Sequence, residues 1–301
     1  MCDELTEHSN EEFFSKQAEL SRRGIVAGGA AVATLAACTT TEAQQTASSG
    51  PRTVTEQEVK ITSPDGVIDA HFAAPTSGRH PAVLVWPDIM GLRPAFRGMG
   101  KRLAEAGYAV LTVNPFYRSQ AGEVIKAGES FSQPEVRSRL IPLMQAATSN
   151  PENTRKDATA AIAWLDQQKQ VNTSRGVGTT GYCMGGPLVM RTMAFVPNRV
   201  KAGGSFHGGG LATNAPTSPH LMVPQMQAKA VLIAVAQNDD AQDATVKDKV
   251  RAAFEAAKIP VEVEVYPAQH GWCPPDSQVY DQAQAEKAWT RLLATFEKGL
   301  A

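Results

Sequence analysis

The stretch TTGYCMGGPL at 179–188 sets a cysteine inside a frame of glycines, Gly181-Tyr182-Cys183-Met184-Gly185, with Gly186 following. Gly-x-nucleophile-x-Gly is the pattern of a strained strand-to-helix turn that lifts one side chain clear of a sheet edge, here with sulfur where serine oxygen is more usual. The glycines have a steric reason, because side chains two positions from such a turn collide with neighbouring backbone. A sulfur at a helix N-terminus is also disposed to ionise. A structural cysteine buried in a Gly-rich bend would share the same local sequence, so the reading depends on whether a base and an acid accompany Cys183.

Of six histidines, two, His207 and His270, directly follow strand-like runs. His270 comes after VEVEVYPAQ near the C-terminus, and a nucleophile–acid–histidine order along the chain puts the base there. The acid should follow the preceding strand, where AVLIAVAQNDDAQD offers Asp239, Asp240 and Asp243. Asp239 comes first after the strand and could fix the imidazole tautomer and stabilise the imidazolium. Asp243 is placed to cap the next helix.

These residues need a scaffold that collects distant positions at one edge. The runs PAVLVWPD, YAVLTVNP, GVGTTGYC, VKAGGSFHG, AVLIAVAQND and VEVEVYPAQH are short and β-rich, and several are apolar at consecutive positions. Strands covered on both faces read that way. Helical stretches at 94–106, 156–169, 184–194, 243–258 and about 280–298 lie between or after them. Alternating strand and helix implies right-handed crossovers and a mostly parallel sheet with helices on both faces. Ahead of it, two alternating strands joined at Ser63-Pro64-Asp65-Gly66 form an N-terminal antiparallel hairpin. Segment 119–150 does not fit the alternation and is expected to cross the carboxyl edge of the sheet, where ligands sit.

The remainder of the chain bounds the setting. Its 301 residues are 43% hydrophobic and 20% charged, enough for one large core. Lys plus Arg number 29 against 30 Asp plus Glu, with no basic run interleaved with aromatics, so no nucleic-acid partner is expected. Arg22 and Arg23 precede an uncharged, weakly apolar run at 24–37, shorter than a membrane span and shaped like a twin-arginine export signal. LAAC at 35–38 resembles a lipobox, making Cys38 a candidate lipid anchor. The expected layout is an export signal at 1–38, a polar tether at 39–52 and a folded domain at 53–301, with the protein periplasmic or held on a membrane surface. Cys183 and Cys273 would then be the folded domain's two cysteines. Their spacing fits no zinc pattern, and nothing calls for a metal or organic cofactor.

PAVLVWPDIMGLRPAFRGMGKRLAEAGYAVLTVNPFYR, GYCMGG, SFHGGG, AQND and HGWCPPDSQVYDQAQAEKAWTRLLATF together resemble the dienelactone hydrolase family of the α/β-hydrolase fold. That resemblance covers nearly all of the expected mature chain. It implies a Cys183, Asp239 and His270 triad, with an oxyanion hole from the backbone N–H groups of Ile89 and Met184. It also implies that Asp88 stands where relatives carry a thiol-activating glutamate and that Arg118 holds a substrate carboxylate. His207 and Trp272 would complete the pocket, and Cys273 could approach Cys183.

The expected activity is hydrolysis of a carboxylic ester or lactone through an acyl-enzyme, with Arg118 as the one hint of an anionic substrate. Two rivals stand beside it: thioesterase or acyl-transfer chemistry on a cell-envelope substrate, and a lipid-anchored binding protein without turnover.

Overall fold

The computed structural model describes residues 4–24 and 50–301. The expected lipobox and tether, including Cys38, lie outside the described residues. Residues 4–24 form helix α1 (Glu4–Gly24), an element the export-signal reading did not anticipate. No helix among the described residues is long and apolar enough to cross a membrane.

Strands β1 (Val54–Ser63) and β2 (Gly66–Pro75) make the expected hairpin, with Ser63 opposite Gly66 and Pro64-Asp65 at the turn. β3 (Ala82–Trp86) then leads through α2 (Pro94–Glu105) to β4 (Ala109–Val113). After α3 (Pro134–Thr148) and α4 (Pro151–Asp166), the chain alternates through β5 (Val177–Tyr182), α5 (Gly185–Phe195) and β6 (Val200–Phe206). A 3-10 turn, Pro219–Gln225, precedes β7 (Ala230–Ala236). Two helices, α6 (Gln237–Gln242) and α7 (Thr245–Ala256), separate β7 from β8 (Val261–Tyr266), and α8 (Gln282–Leu300) closes the chain.

The eight strands form one sheet in the order β1-β2-β4-β3-β5-β6-β7-β8. β4, β3, β5, β6, β7 and β8 run parallel, and β2 joins β4 antiparallel. The fold is the mixed α/β architecture expected from the alternation.

Burial explains why the central strands read as unbroken apolar runs. Every residue of β3 and β4 is buried, because helices cover both faces of the sheet. On one face Phe96 and Leu103 of α2 and Leu292 and Phe296 of α8 pack against Val83, Val85, Ala202 and Leu232. Ile162, Leu165, Val189, Met193, Val250 and Phe254 belong to the core of the other face. The buried positions of α2, Phe96, Gly100, Leu103 and Ala104, recur at helical spacing. Each fully buried large apolar side chain contributes about 1.5–3 kcal/mol.

Segment 119–150 resolves into a loop followed by α3. Its loop part, with Glu123 and 125–132, forms one wall of the cavity at the carboxyl edge, as an excursion over that edge should.

Candidate active site

Cys183 sits between β5 and α5 with φ of 53°, in the left-handed region that a non-glycine residue occupies only under constraint. The turn is held from beneath. The Cys183 N–H donates to the Phe206 carbonyl and to His207 Nδ1, each at 3.1 Å, and Gly186 N–H donates to the Cys183 carbonyl at 3.0 Å. The flanking glycines are sterically required. A Cβ on Gly185 would lie 2.4 Å from the Trp86 carbonyl oxygen, and one on Gly181 would lie 2.3 Å from the Gly185 oxygen. The close approach of Gly185 brings the start of α5 against the loop after β3, so Met184 and Ile89 flank the same spot. Hydrogen bonds in the two turns use the N–H groups of Cys183, Gly186, Met90 and Gly91, and none of these uses Met184 or Ile89.

His270 lies past the end of β8 and Asp239 in the first turn of α6, directly after β7. The His270 Nδ1 is 2.8 and 3.0 Å from the two Asp239 carboxylate oxygens. A carboxylate only accepts, so Nδ1 carries the proton and Nε2 is left as the basic nitrogen. The His270 N–H donates to Asn238 Oδ1 at 2.8 Å, which fixes the backbone beneath the ring. Geometry separates the three candidate aspartates. Asp240 pairs with Lys247, and Asp243 accepts from the Thr245 N–H and hydroxyl at 2.9 and 2.6 Å, opening α7.

His207 is fully buried, with a φ of 40°. Because its Nδ1 accepts from Cys183 N–H, the proton resides on Nε2. Burial, with His270 nearby, holds its pKa well below the ordinary imidazole value, so the ring is neutral. It stands edge-on to His270 and to Trp272, with ring centres 4.9 and 5.0 Å apart. Trp272 is stacked on Tyr266 behind His207 and does not line the cavity. The expectation that it contacts substrate is corrected: it supports a wall residue.

The cavity has a volume of about 790 Å³, and Cys183, His207, His270, Asp88, Ile89 and Arg93 line it together with the 125–132 loop. Asn10, Glu11 and Phe14 of α1 also line it. Asn10 Nδ2 donates to the His270 carbonyl, and Asn238 Nδ2 to Asn10 Oδ1, each at 3.4 Å. The Cys183 sulfur is disulfide-bonded in this form. Its expected neighbour Cys273 is a free thiol lining a separate apolar cavity of about 270 Å³ beside Tyr182, Phe206 and Trp289. The suggested Cys183–Cys273 approach is therefore corrected. Burial pushes the Cys273 thiol well up, which keeps it protonated and inert.

Asp88 and Arg118 take roles other than those the resemblance implied. Asp88 Oδ1 accepts the Met90 N–H at 2.9 Å, and both Asp88 oxygens meet Arg93, at 2.6 and 3.0 Å. On its other side Arg93 meets Asp276 at 2.7 and 2.9 Å. Burial alone would lower the pKa of this guanidinium, but the two aspartates outweigh it and raise it. Arg118 is bound to Asp157 and Asp65 at 2.7–3.0 Å, lies over the Tyr117 ring, and does not line the cavity. Asp157 is buried, and a buried carboxylate without a cation is costly. That need claims Arg118. Arg93 and Asp276 were not singled out from sequence. The one local sign was an arginine ahead of Pro94, where α2 starts.

The family model for the dienelactone hydrolase family matches residues 68–300. A protein of Methylorubrum extorquens assigned as a carboxymethylenebutenolidase is 28% identical over 287 residues, covering 94% of each chain. A Salmonella typhi protein assigned the same activity is 24% identical over 256 residues, covering 78% of this chain and 90% of the relative. Among solved structures, a dienelactone hydrolase from Klebsiella pneumoniae superposes with a TM-score of 0.67 at 23% identity, covering 82% of this chain and all of the other. A dienelactone hydrolase-like promiscuous phosphotriesterase from metagenomic libraries gives 0.68 at 22% identity, covering 82% of this chain and 99% of the other. Matched along most of its folded length by that family's own model, the chain belongs to the dienelactone hydrolase family.

Proposed function

We propose that this protein hydrolyses carboxylic esters or lactones through a thioester intermediate on Cys183. The observation that carries the reading is the convergence, in one cavity, of a cysteine at positive φ on a strand-to-helix turn and a histidine whose Nδ1 is bonded to a carboxylate.

In this reading the reduced Cys183 thiol gives its proton to His270 Nε2 as sulfur attacks the substrate carbonyl, and Asp239 stabilises the resulting imidazolium. The carbonyl oxygen becomes an oxyanion received by the N–H groups of Met184 and Ile89. As the carbon–oxygen bond breaks, His270 returns the proton to the leaving alkoxide. A water molecule, deprotonated by His270, then attacks the thioester, and the acid leaves as Cys183 is regenerated. His207 stays neutral and shapes the wall. Neither the triad nor the oxyanion donors require Arg118.

The test is turnover of an aryl ester by the reduced chain and its Cys183→Ala variant. A loss of activity with an unchanged circular dichroism spectrum, and an acyl adduct on Cys183 in rapid-quench mass spectra of the parent, are expected. Undiminished turnover by Cys183→Ala would refute the assignment. The proposed place of action is the cell envelope, supported by Arg22-Arg23, the apolar run and Cys38 in the sequence. Loss of membrane association in Cys38→Ala tests that part.

A further inference from the structure

The charged cluster on the inner wall of the cavity carries the opposite sign to the one an anionic substrate needs. Among the described residues Arg93 is the one arginine lining the cavity, and all five of its N–H donors are spent. Nε goes to Asp276, the two Nη1 hydrogens to Asp88 and the Gly91 carbonyl, and the two Nη2 hydrogens to Asp88 and Asp276. One guanidinium between two carboxylates leaves this inner cluster with a net charge of −1. Glu123 and Glu129 also line the cavity and are paired with Arg97 and Arg139, while Lys126 is the other lining cation among the described residues.

We infer that the cavity selects esters and lactones with an uncharged acyl part and discriminates against those bearing a carboxylate, with Asp276 and Asp88 setting the preference through Arg93. The inference rests on the hydrolase reading for its substrate class and refines it. A carboxylate entering beside Cys183 would find no unspent guanidinium N–H and would face the surplus charge of the aspartates. Selectivity by such an unpaired repulsive contact is the usual way a site rejects a near-isosteric competitor. Asp276 does not touch the sulfur, His270 or the proposed oxyanion donors in any contact described above, so it acts on which substrate is accepted.

The experiment uses the full chain under reductant with p-nitrophenyl hexanoate and mono-p-nitrophenyl adipate, which differ in a terminal methyl against a carboxylate. The expected kcat/KM ratio favours hexanoate by at least about thirtyfold, as like charges about 8 Å apart near a protein surface imply. Asp276→Asn releases Arg93 donors and removes one negative charge, so the ratio should narrow by at least about fivefold. Both esters are also titrated calorimetrically into the Cys183→Ala chain, where turnover plays no part. Tighter binding of hexanoate with no turnover by the parent would sink the hydrolase reading and leave the charge preference standing. Turnover with equal or better use of adipate, or equal binding of the two, would overturn the inference and leave the hydrolase reading intact. Asp276→Asn serves only if its melting curve stays cooperative, and the parent ratio decides the matter without it.

Discussion

Replacing Gly185 with alanine should damage activity far more than stability. The added methyl carbon would lie 2.4 Å from the Trp86 carbonyl oxygen and 2.9 Å from that of Pro87, whereas ordinary contact starts at 3.4 Å. The deficit at Trp86 is therefore about 1 Å, and both obstructing atoms are backbone, so no rotamer change relieves it. Something must translate: either the start of α5, carrying Met184, or the loop after β3, carrying Ile89. Overpacking of this kind costs about 1–3 kcal/mol, which for a domain of this size lowers the melting midpoint by roughly 2–12 °C. The same displacement separates the two proposed oxyanion donors. A shift of about 1 Å in reacting groups costs on the order of 100-fold in rate, and loss of one such donor about 100- to 1,000-fold. Gly98→Ala is the control, because a Cβ there meets nothing within 4 Å. In the interior of α2 it should add up to about 1 kcal/mol of stability and leave turnover alone. The assay is kcat/KM on a chromogenic ester beside thermal unfolding for both variants. Gly185→Ala activity within about threefold of the parent would refute the reasoning, since geometry that loose could not depend on donors placed to within an ångström.

Asp239→Asn should lower kcat by roughly 100- to 10,000-fold with little change in KM, because the amide can present an N–H to His270 Nδ1 and stabilise the wrong tautomer; steady-state kinetics read this directly. Since Cys183 is disulfide-bonded in the structure, chain purified without reductant should turn over ester slowly and gain activity with added dithiothreitol, in step with the count of titratable thiols. His207 supplies a pH signature. Its folded pKa lies well below 6.5 because it is buried, so below 6.5 the unfolded chain binds a proton that the folded chain refuses. Stability is therefore whole above 6.5 and falls as pH drops below it, by up to about 1.4 kcal/mol per pH unit. His207→Asn keeps an acceptor for the Cys183 N–H and removes that proton, so its acid slope between pH 7 and 5 should be shallower than the parent's in denaturant titrations. His71 and His220 shift in the same direction and contribute equally to both proteins.

How far the sequence foretold the molecule depends on whether a feature is written locally. The sheet was legible because burial on both faces leaves a run such as AVLVW of β3 without polar interruptions, and the hairpin because Pro64 and Asp65 suit a tight turn. That Cys183, Asp239 and His270 stand past the ends of β5, β7 and β8 was legible for the same reason, since each follows a recognisable strand and a parallel sheet must bring such positions to one edge. Helix α1 was not legible as a wall of the cavity. Nothing in its polar sequence announces that Asn10 will meet His270, 260 positions away.

The arginines mark the boundary most sharply. Arg118 follows a strand end in the position the resemblance associates with a substrate carboxylate, yet its donors go to Asp65 and Asp157. Asp157 belongs to α4 and Asp65 to the hairpin turn, so neither partner is visible from the arginine's neighbourhood in the chain. An arginine answers to the carboxylate that most needs a partner, and a buried one needs it most, because an uncompensated buried charge costs several kcal/mol. Asp157 outbids any transient ligand on that scale. By the same logic Arg93 is claimed by Asp88, five residues away, and by Asp276, 183 residues away. Residue types at strand ends thus reveal which chemistry is possible, whereas the charge left over for a substrate is settled only by counting donors and acceptors in three dimensions. For the Asp88–Arg93–Asp276 cluster that count returns a surplus carboxylate.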